Sequence, residues 1–252
     1  MLVRGGKYCY GQAIGIVLLD RKYPLLPGNV GNASTYNFPV RIKVLYGSWN
    51  PPFPPFKDKT GKYYQQMQKY IDILKEFEEE GVKAITCACG FFSATQQEAA
   101  AAVNIPVFTS PLLLIPFVHK LLKPDQKVGV LTAHTPYLLE QPEVFLKPAG
   151  VDESIPLVIE GMDNSPSNEF VEVVSDKKAE ADTDLMEKEV VDMARKLVSD
   201  NPEVGAIVLE CSDMPVYSAA IQQAVSLPVF DFIGMINMVF HSVVQRRYEG
   251  FL

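Results

Sequence analysis

The sequence predicts an α/β protein of two pseudosymmetric lobes, each a parallel sheet flanked by helices, with the active site in the cleft between them. Three observations support this fold class. Short apolar segments alternate with amphipathic helical segments, which is typical of parallel sheets covered by helices. Two parts of the chain resemble each other at a constant spacing, which indicates an internal repeat. A chain of 252 residues is also long enough for two lobes of ordinary size.

The repeat is clearest in two pairs of segments. VKAITCACG at 82–90 matches VGAIVLECS at 204–212, and AVNIPVF at 102–108 matches AVSLPVF at 224–230. Both pairs have the same offset of 122 residues, with no gap between them. Each half therefore contains the order strand, strand, helix, strand, helix, strand.

The elements of the two halves follow from their periodicity. Buried strands are predicted where short β-rich runs end in turns, and helices where apolar residues recur at helical spacing. The predicted strands are 12–20, 40–46, 126–134 and 155–161, and the two long helices are 63–81 and 183–201. The N-terminal lobe is predicted at 1–112, joined by a C-terminal helix at 233–252, and the C-terminal lobe at 113–232.

The composition and the lengths of the apolar runs exclude some classes of partner. The net charge of −7 argues against nucleic acid, because a phosphate backbone must be met by clustered Lys and Arg. The N-terminal apolar run is too short for a signal peptide, and none elsewhere is long enough to cross a bilayer. We therefore expect a cytoplasmic protein, away from membranes, that acts on a small molecule. Cys87 and Cys89 lack a second pair of ligands, so no metal is expected.

Two cysteines stand out because the repeat pairs them. Cys89 matches Cys211, whereas Cys87 matches an apolar strand residue, Leu209. Each paired cysteine follows a strand and precedes a helix, where ligands of α/β sheets bind and where a helix start favours thiolate. Buried cysteines are often only small apolar side chains, but the matched positions favour a catalytic pair.

Opposed thiols suit proton transfer at a carbon. One thiolate would remove a proton from one face while the other thiol returns a proton to the opposite face. Backbone N–H groups at the two helix starts, those of Gly90, Phe91, Ser212 and Asp213, would stabilise the carbanion. The Asp213 side chain could support Cys211 or could cap a helix, and both interpretations stay open.

The motif Cys211-Ser212-Asp213-Met214-Pro215 resembles the C-T-E-x-P signature of the aspartate/glutamate racemase superfamily, and the spacing from Cys89 to IPV at 105–107 is similar too. The resemblance implies two lobes, chemistry without a cofactor, a homodimer and racemisation or epimerisation of an amino acid or related carboxylate. It further implies substrate contacts from Gly90, Phe91, Thr132, His134 and Ser212.

Alternatives remain at this stage. The Asn-Thr that follows the first cysteine in the family is Gly90-Phe91 here, so the substrate is open. A decarboxylase or isomerase of the same superfamily is the main alternative, and a two-lobed binding protein or a redox protein is another. The Pro- and Gly-rich segments at 20–39 and 47–62 are either a lid or surface loops.

Overall fold

Two parallel sheets form the framework of the molecule. The structure, a computed structural model, describes residues 2–47, 61–175 and 178–251, without the side chain of Lys62. The first sheet has the order β2-β1-β3 and the second the order β5-β4-β6-β7, and every pairing is parallel. The strands are β1 (Ile14–Leu19), β2 (Val40–Leu45), β3 (Ala84–Cys87), β4 (Lys127–Thr132), β5 (Leu157–Gly161), β6 (Val204–Leu209) and β7 (Val229–Phe230). The predicted α/β class, with helix-flanked parallel sheets, is confirmed.

The helices connect the strands and cover the sheets. The two long predicted helices are present. Gly81 follows the first with a positive φ, and the Asp182 carboxylate caps the start of the second by accepting from the Leu185 N–H. The α-helices are α1 (Gly61–Glu80), α2 (Gln96–Ala102), α3 (Ile115–Leu121), α4 (Thr135–Glu140), α5 (Pro142–Phe145), α6 (Glu169–Val174), α7 (Thr183–Asp200), α8 (Ser218–Val225) and α9 (Phe232–Val243).

The chain after each paired cysteine differs from the expectation of a direct helix start. A 3₁₀ helix comes first in both halves, at Gly90–Thr95 before α2 and at Met214–Tyr217 before α8. Such turns are common at helix N-termini, and Pro215 has no N–H to offer an α-helical bond. The last strands are also shorter than their sequences suggest: Val107 makes only an isolated bridge with Ile85, and its counterpart β7 has two residues.

Strand β6 shows how the core is arranged. All of its residues are buried, and successive side chains point to opposite faces of the sheet. Ala206 and Val208 belong to a large apolar cluster that also includes residues of the first sheet, whereas Ile207 and Leu209 pack in a second cluster with residues of α7. Because strands of the second sheet are covered on both faces, their sequences are almost continuously apolar.

The C-terminal helix returns to the beginning of the chain. Helix α9 packs against β3, and the ring of Phe240 lies parallel to that of Phe38 with centroids 3.6 Å apart. Within the described ranges, no helix combines the length and the apolar composition that a membrane crossing requires. The predicted lobe boundary near residue 112 stays a prediction.

We expect Phe232→Ala to lower the free energy of unfolding by about 3–5 kcal/mol. The Phe232 side chain is 0 % exposed, so its removal leaves a cavity in the core. Urea denaturation followed by circular dichroism measures this. Tyr248→Ala, at a site that is 97 % exposed, is the control and should change stability by less than about 0.5 kcal/mol. A similarly small effect of Phe232→Ala would contradict the packing of α9.

Candidate active site

A cavity lies at the carboxyl ends of strands from both sheets. Its volume is about 340 Å³, within the range of small-molecule sites. The strands β1, β3, β4 and β6 each contribute residues within a few positions of their last residue, as expected for ligand sites of parallel sheets. The lining residues are Leu19, Arg21, Tyr23, Ala88, Cys89, Gly90, Phe91, Ala133, His134, Tyr137, Val171, Val174, Ser175, Glu210, Cys211, Ser212 and Asp213.

The two paired cysteines occupy equivalent positions in this cavity. In each case the backbone N–H two residues on, that of Phe91 for Cys89 and that of Asp213 for Cys211, lowers the pKa of the thiol. Cys87 is elsewhere: it is buried in the core, with its Sγ 3.0 Å from the Tyr70 hydroxyl. The structure thus brings Cys89 and Cys211 together, and their catalytic role stays a prediction.

The expectation that the helix starts hold these thiols as thiolates is wrong for this structure. Burial raises the pKa of Cys89 to about 12, and the negative charge of Glu210 adds to the effect. Burial and the charges of Asp213 and Glu210 raise the pKa of Cys211 well above its usual value. The N–H donors act in the opposite direction but are outweighed. Both thiols are therefore neutral at physiological pH.

Asp213 supports Cys211 and does not cap a helix. Its carboxylate makes no side-chain bond to the 3₁₀ helix that follows, and its Oδ2 lies 3.6 Å from the Cys211 Sγ. The Asn29 amide donates to Oδ1 at 2.5 Å, and the Tyr23 hydroxyl donates to Oδ2 at 3.0 Å. Burial raises the pKa of Asp213 to about 6. This carboxylate can accept the proton of the Cys211 thiol.

Part of the segment at 20–39 covers the loop that carries Cys211. Besides the bonds of Tyr23 and Asn29 to Asp213, the Val30 N–H donates to the Ser212 carbonyl at 3.3 Å. Gly28 has φ +102°, and a Cβ there would lie 2.8 Å from the Val216 Cα, so the close approach needs glycine. Residues 48–60 of the second candidate lid segment lie outside the described residues.

Glu210 is a member of the site that the sequence analysis missed. It is 1 % exposed, and its Oε2 accepts from the Thr132 hydroxyl at 2.9 Å and from the Ala133 N–H at 3.4 Å. Its Oε1 is buried and has no hydrogen-bond partner among the described residues. Burial raises the pKa of Glu210 to about 7. An acidic residue inside the apolar run before Cys211 was the available signal.

The other predicted substrate contacts have different outcomes. Gly90, Phe91, His134 and Ser212 line the cavity. Thr132 is not among the lining residues: it is fully buried at the end of β4 and its hydroxyl donates to Glu210, so a substrate contact of Thr132 stays a prediction.

His134 contributes a ring to one wall. Its imidazole stacks on Tyr137 with centroids 4.2 Å apart, and its Nδ1 is buried without a hydrogen-bond partner in the described part of the chain. Tyr137 also meets the Phe91 ring edge-on at 5.1 Å. The sequence analysis did not single out Tyr137, because nothing in the pattern of α4 distinguishes it from a packing residue.

The charges in the cavity are of both signs. Among the described residues that line it, Arg21 is the only permanent cation, and Glu210 and Asp213 are the acids. The positive charge of Arg21 lowers the pKa of Cys89 slightly against the larger effect of burial. In the described ranges, no group of three or more His, Cys, Asp or Glu side chains is arranged to hold a metal ion.

A cavity at the carboxyl ends of parallel strands, with a thiol from each of two sheets, is the architecture of an α/β enzyme that acts on small molecules. The chain belongs to the Asp/Glu/hydantoin racemase family, whose sequence profile matches residues 43–236.

The curated relatives that the chain resembles are named as lyases. The chain is 30% identical over 242 residues to a dimethylsulfoniopropionate lyase of Durusdinium sp. clade D, covering 94% of this chain and 77% of the relative. It is 29% identical to dimethylsulfoniopropionate lyase 3 of Emiliania huxleyi strain CCMP1516, covering 94% of this chain but only 61% of that relative. A solved variant of arylmalonate decarboxylase has the same fold, with a TM-score of 0.61 and 15% identity over 93% of this chain and 94% of that one.

We expect Cys89 in the folded protein to react with iodoacetamide at pH 7.4 at least about tenfold more slowly than in the chain unfolded in urea, because the thiolate fraction falls tenfold for each unit that the pKa rises. Peptide mapping by mass spectrometry gives the rate. The unfolded chain is the matched control, since it exposes the same thiol without burial. Equal or faster reaction in the folded protein would mean that the helix start outweighs burial.

Proposed function

We propose that this chain is a lyase that removes a proton next to a carboxylate and expels a leaving group from the β carbon, with dimethylsulfoniopropionate as its substrate. The similarity to dimethylsulfoniopropionate lyases over 94% of the chain supports this reaction. The cavity supports it through its mixture of one guanidinium, neutral thiols, aromatic rings and buried acids.

The proposed reaction is close to racemisation in its first step. Both begin when a base removes the proton on the carbon next to a carboxylate. A carbanion without a leaving group must be reprotonated, and return of a proton on the opposite face inverts the centre. When the β carbon carries a sulfonium, the same electron pair forms a double bond instead, and the sulfur departs. The same type of active site can therefore catalyse both racemisation and elimination.

The substrate's two charged ends determine how it fits. Arg21 would hold the carboxylate, because a guanidinium can donate two parallel hydrogen bonds to it. The rings of Tyr137 and Phe91 offer π faces that attract the sulfonium. Arg21 is the only permanent cation among the described lining residues, which suits a substrate with one carboxylate. The similarity to a dimethylsulfoniopropionate lyase over 94% of the chain is the observation that carries the proposal.

We assign the base to Cys211, since its Sγ lies 3.6 Å from a carboxylate oxygen of Asp213. The thiol proton passes to Asp213, and the thiolate takes the proton from C2 of the substrate. The C2–H electrons form the C2=C3 double bond while the C3–S bond breaks, and the sulfur leaves with the bonding pair. The products are acrylate, neutral dimethyl sulfide and one proton, which finally goes to solvent. Because the leaving group departs neutral, no acid is required.

Racemisation of an amino acid or related carboxylate is the second candidate. The observation in its favour is the equivalence of the two thiols, since each lines the cavity and the N–H two residues on lowers the pKa of each. Racemisation needs a thiol on each face, whereas elimination needs a single base. The dependence on Cys89 therefore distinguishes the two candidates.

We expect the purified protein to convert dimethylsulfoniopropionate to equal amounts of dimethyl sulfide, measured by gas chromatography, and acrylate, measured by liquid chromatography. Cys211→Ser should lower kcat/KM by at least about 100-fold, because serine is a poor base. Cys89→Ser should retain more activity than Cys211→Ser.

The matched control is Cys87→Ala, which removes a neighbouring thiol outside the cavity and should remain active. An absence of dimethyl sulfide, together with solvent deuterium entering both enantiomers of an amino acid or hydantoin in deuterium oxide, would refute elimination in favour of racemisation. Loss of that exchange in both cysteine variants would then identify two bases.

We expect kcat/KM of the lyase reaction to fall as the pH drops through about 6, because Asp213 must be ionised to accept the Cys211 proton and its pKa is raised to about 6. Above this pH the carboxylate is charged and activity is retained. A series of initial rates between pH 5 and pH 8 tests this against Asp213→Asn, which should be much slower and should lack the decrease assigned to Asp213. An unchanged profile in that variant would exclude Asp213 as the proton acceptor.

A further inference from the structure

Among the described acids that line the cavity, Glu210 is the one with a carboxylate oxygen that has no hydrogen-bond partner. Asp213 is fully engaged, since its oxygens accept from Asn29 and Tyr23 and face the Cys211 thiol. In Glu210, Oε2 is held by Thr132 and the Ala133 N–H, but Oε1 has no hydrogen-bond partner among the described residues. A buried carboxylate oxygen without a partner is costly and calls for a positive charge or a donor.

Gly90 makes room for this carboxylate. A Cβ at position 90 would lie 2.2 Å from Oε1 of Glu210 and 2.1 Å from its carbonyl oxygen, so no larger residue fits without a shift of the chain. The racemase motif that the chain resembles has Asn at this position. Here the side chain that follows the first cysteine is missing, and the carboxyl group of Glu210 lies against Gly90.

We propose that Glu210 is a specificity-determining residue that faces the positive end of the substrate, so that the site selects carboxylates with a sulfonium or quaternary ammonium group on the β carbon. The inference rests on the proposed function for the way the substrate lies in the cavity. Such a cation has no N–H or O–H to donate, so the attraction is between charges and needs no hydrogen-bond geometry. Thr132 and the Ala133 N–H fix the carboxylate and keep Oε1 turned towards Gly90 and the Cys89 side of the cavity.

The charge of Glu210 is suited to this selection. Burial raises its pKa to about 7, so the empty site holds a carboxyl group that ionises easily when a cation arrives. A bound cation lowers that pKa and stabilises the charged form. The electrostatic attraction is strong because little water separates the charges inside a buried site. A neutral ligand of the same shape gains none of this attraction.

The test uses two unreactive carboxylates of equal shape. 3-(Trimethylammonio)propanoate carries a quaternary nitrogen where 4,4-dimethylpentanoate carries a carbon, and their dissociation constants are measured by isothermal titration calorimetry at pH 8. We expect the wild-type protein to bind the cation at least about tenfold more tightly. Glu210→Gln should lower this preference severalfold by weakening binding of the cation and not of the neutral ligand, and the attraction by the Tyr137 and Phe91 rings should remain. Glu210→Asp keeps the charge and should keep a preference.

Glu160→Gln is the control, because it removes an acid of the same sheet that pairs with Lys196 outside the cavity and should leave the preference intact. Equal affinities in the wild type overturn the inference without any variant, and so does a preference that Glu210→Gln leaves undiminished in folded protein. Should Glu210→Gln fail to fold by circular dichroism, a preference lost in Glu210→Asp decides against the inference and one retained supports it. A preference without release of dimethyl sulfide overturns the proposed lyase but keeps this inference, and release of dimethyl sulfide without a preference does the reverse.

Discussion

The buried carboxylate of Asp213 joins parts of the chain that are far apart in sequence. Tyr23 and Asn29 reach it from the segment after β1, and Cys211 faces it from its own loop. A buried charge is tolerated only when its oxygens are hydrogen-bonded, so these contacts must form together. The same bonds bring a segment of the first sheet over the second and complete one wall of the cavity.

Burial around this carboxylate also sets the character of the thiols. Burial and the charges of Glu210 and Asp213 keep both cysteines protonated in the empty site, so neither thiol is nucleophilic before a substrate binds. Such a thiol is protected from adventitious alkylation and oxidation, which follow thiolate character. Its basicity is correspondingly high once the proton has been moved to Asp213. The reactive thiolate therefore forms only during turnover.

The repeat predicted the fold class and the two cysteines because both depend on local patterns. Apolar runs specify strands, and equivalent strands end at equivalent points, so Cys89 and Cys211 could be paired from their spacing alone. Glu210 could not be found in this way, because the repeat pairs it with Ala88, and the roles of Arg21, Tyr23 and Asn29 depend on how the two sheets meet. Thr132 lies at the end of β4, but only packing shows that its hydroxyl turns back to Glu210.

The missing side chain at Gly90 limits how the site can be redesigned. A Cβ at that position would overlap the backbone carbonyl of Glu210 as well as its carboxyl group, and the carbonyl is present whatever residue stands at position 210. An asparagine placed after the first cysteine would therefore need a shift of the backbone, even if the acid were removed first. A single substitution at this position cannot restore the motif of the racemases.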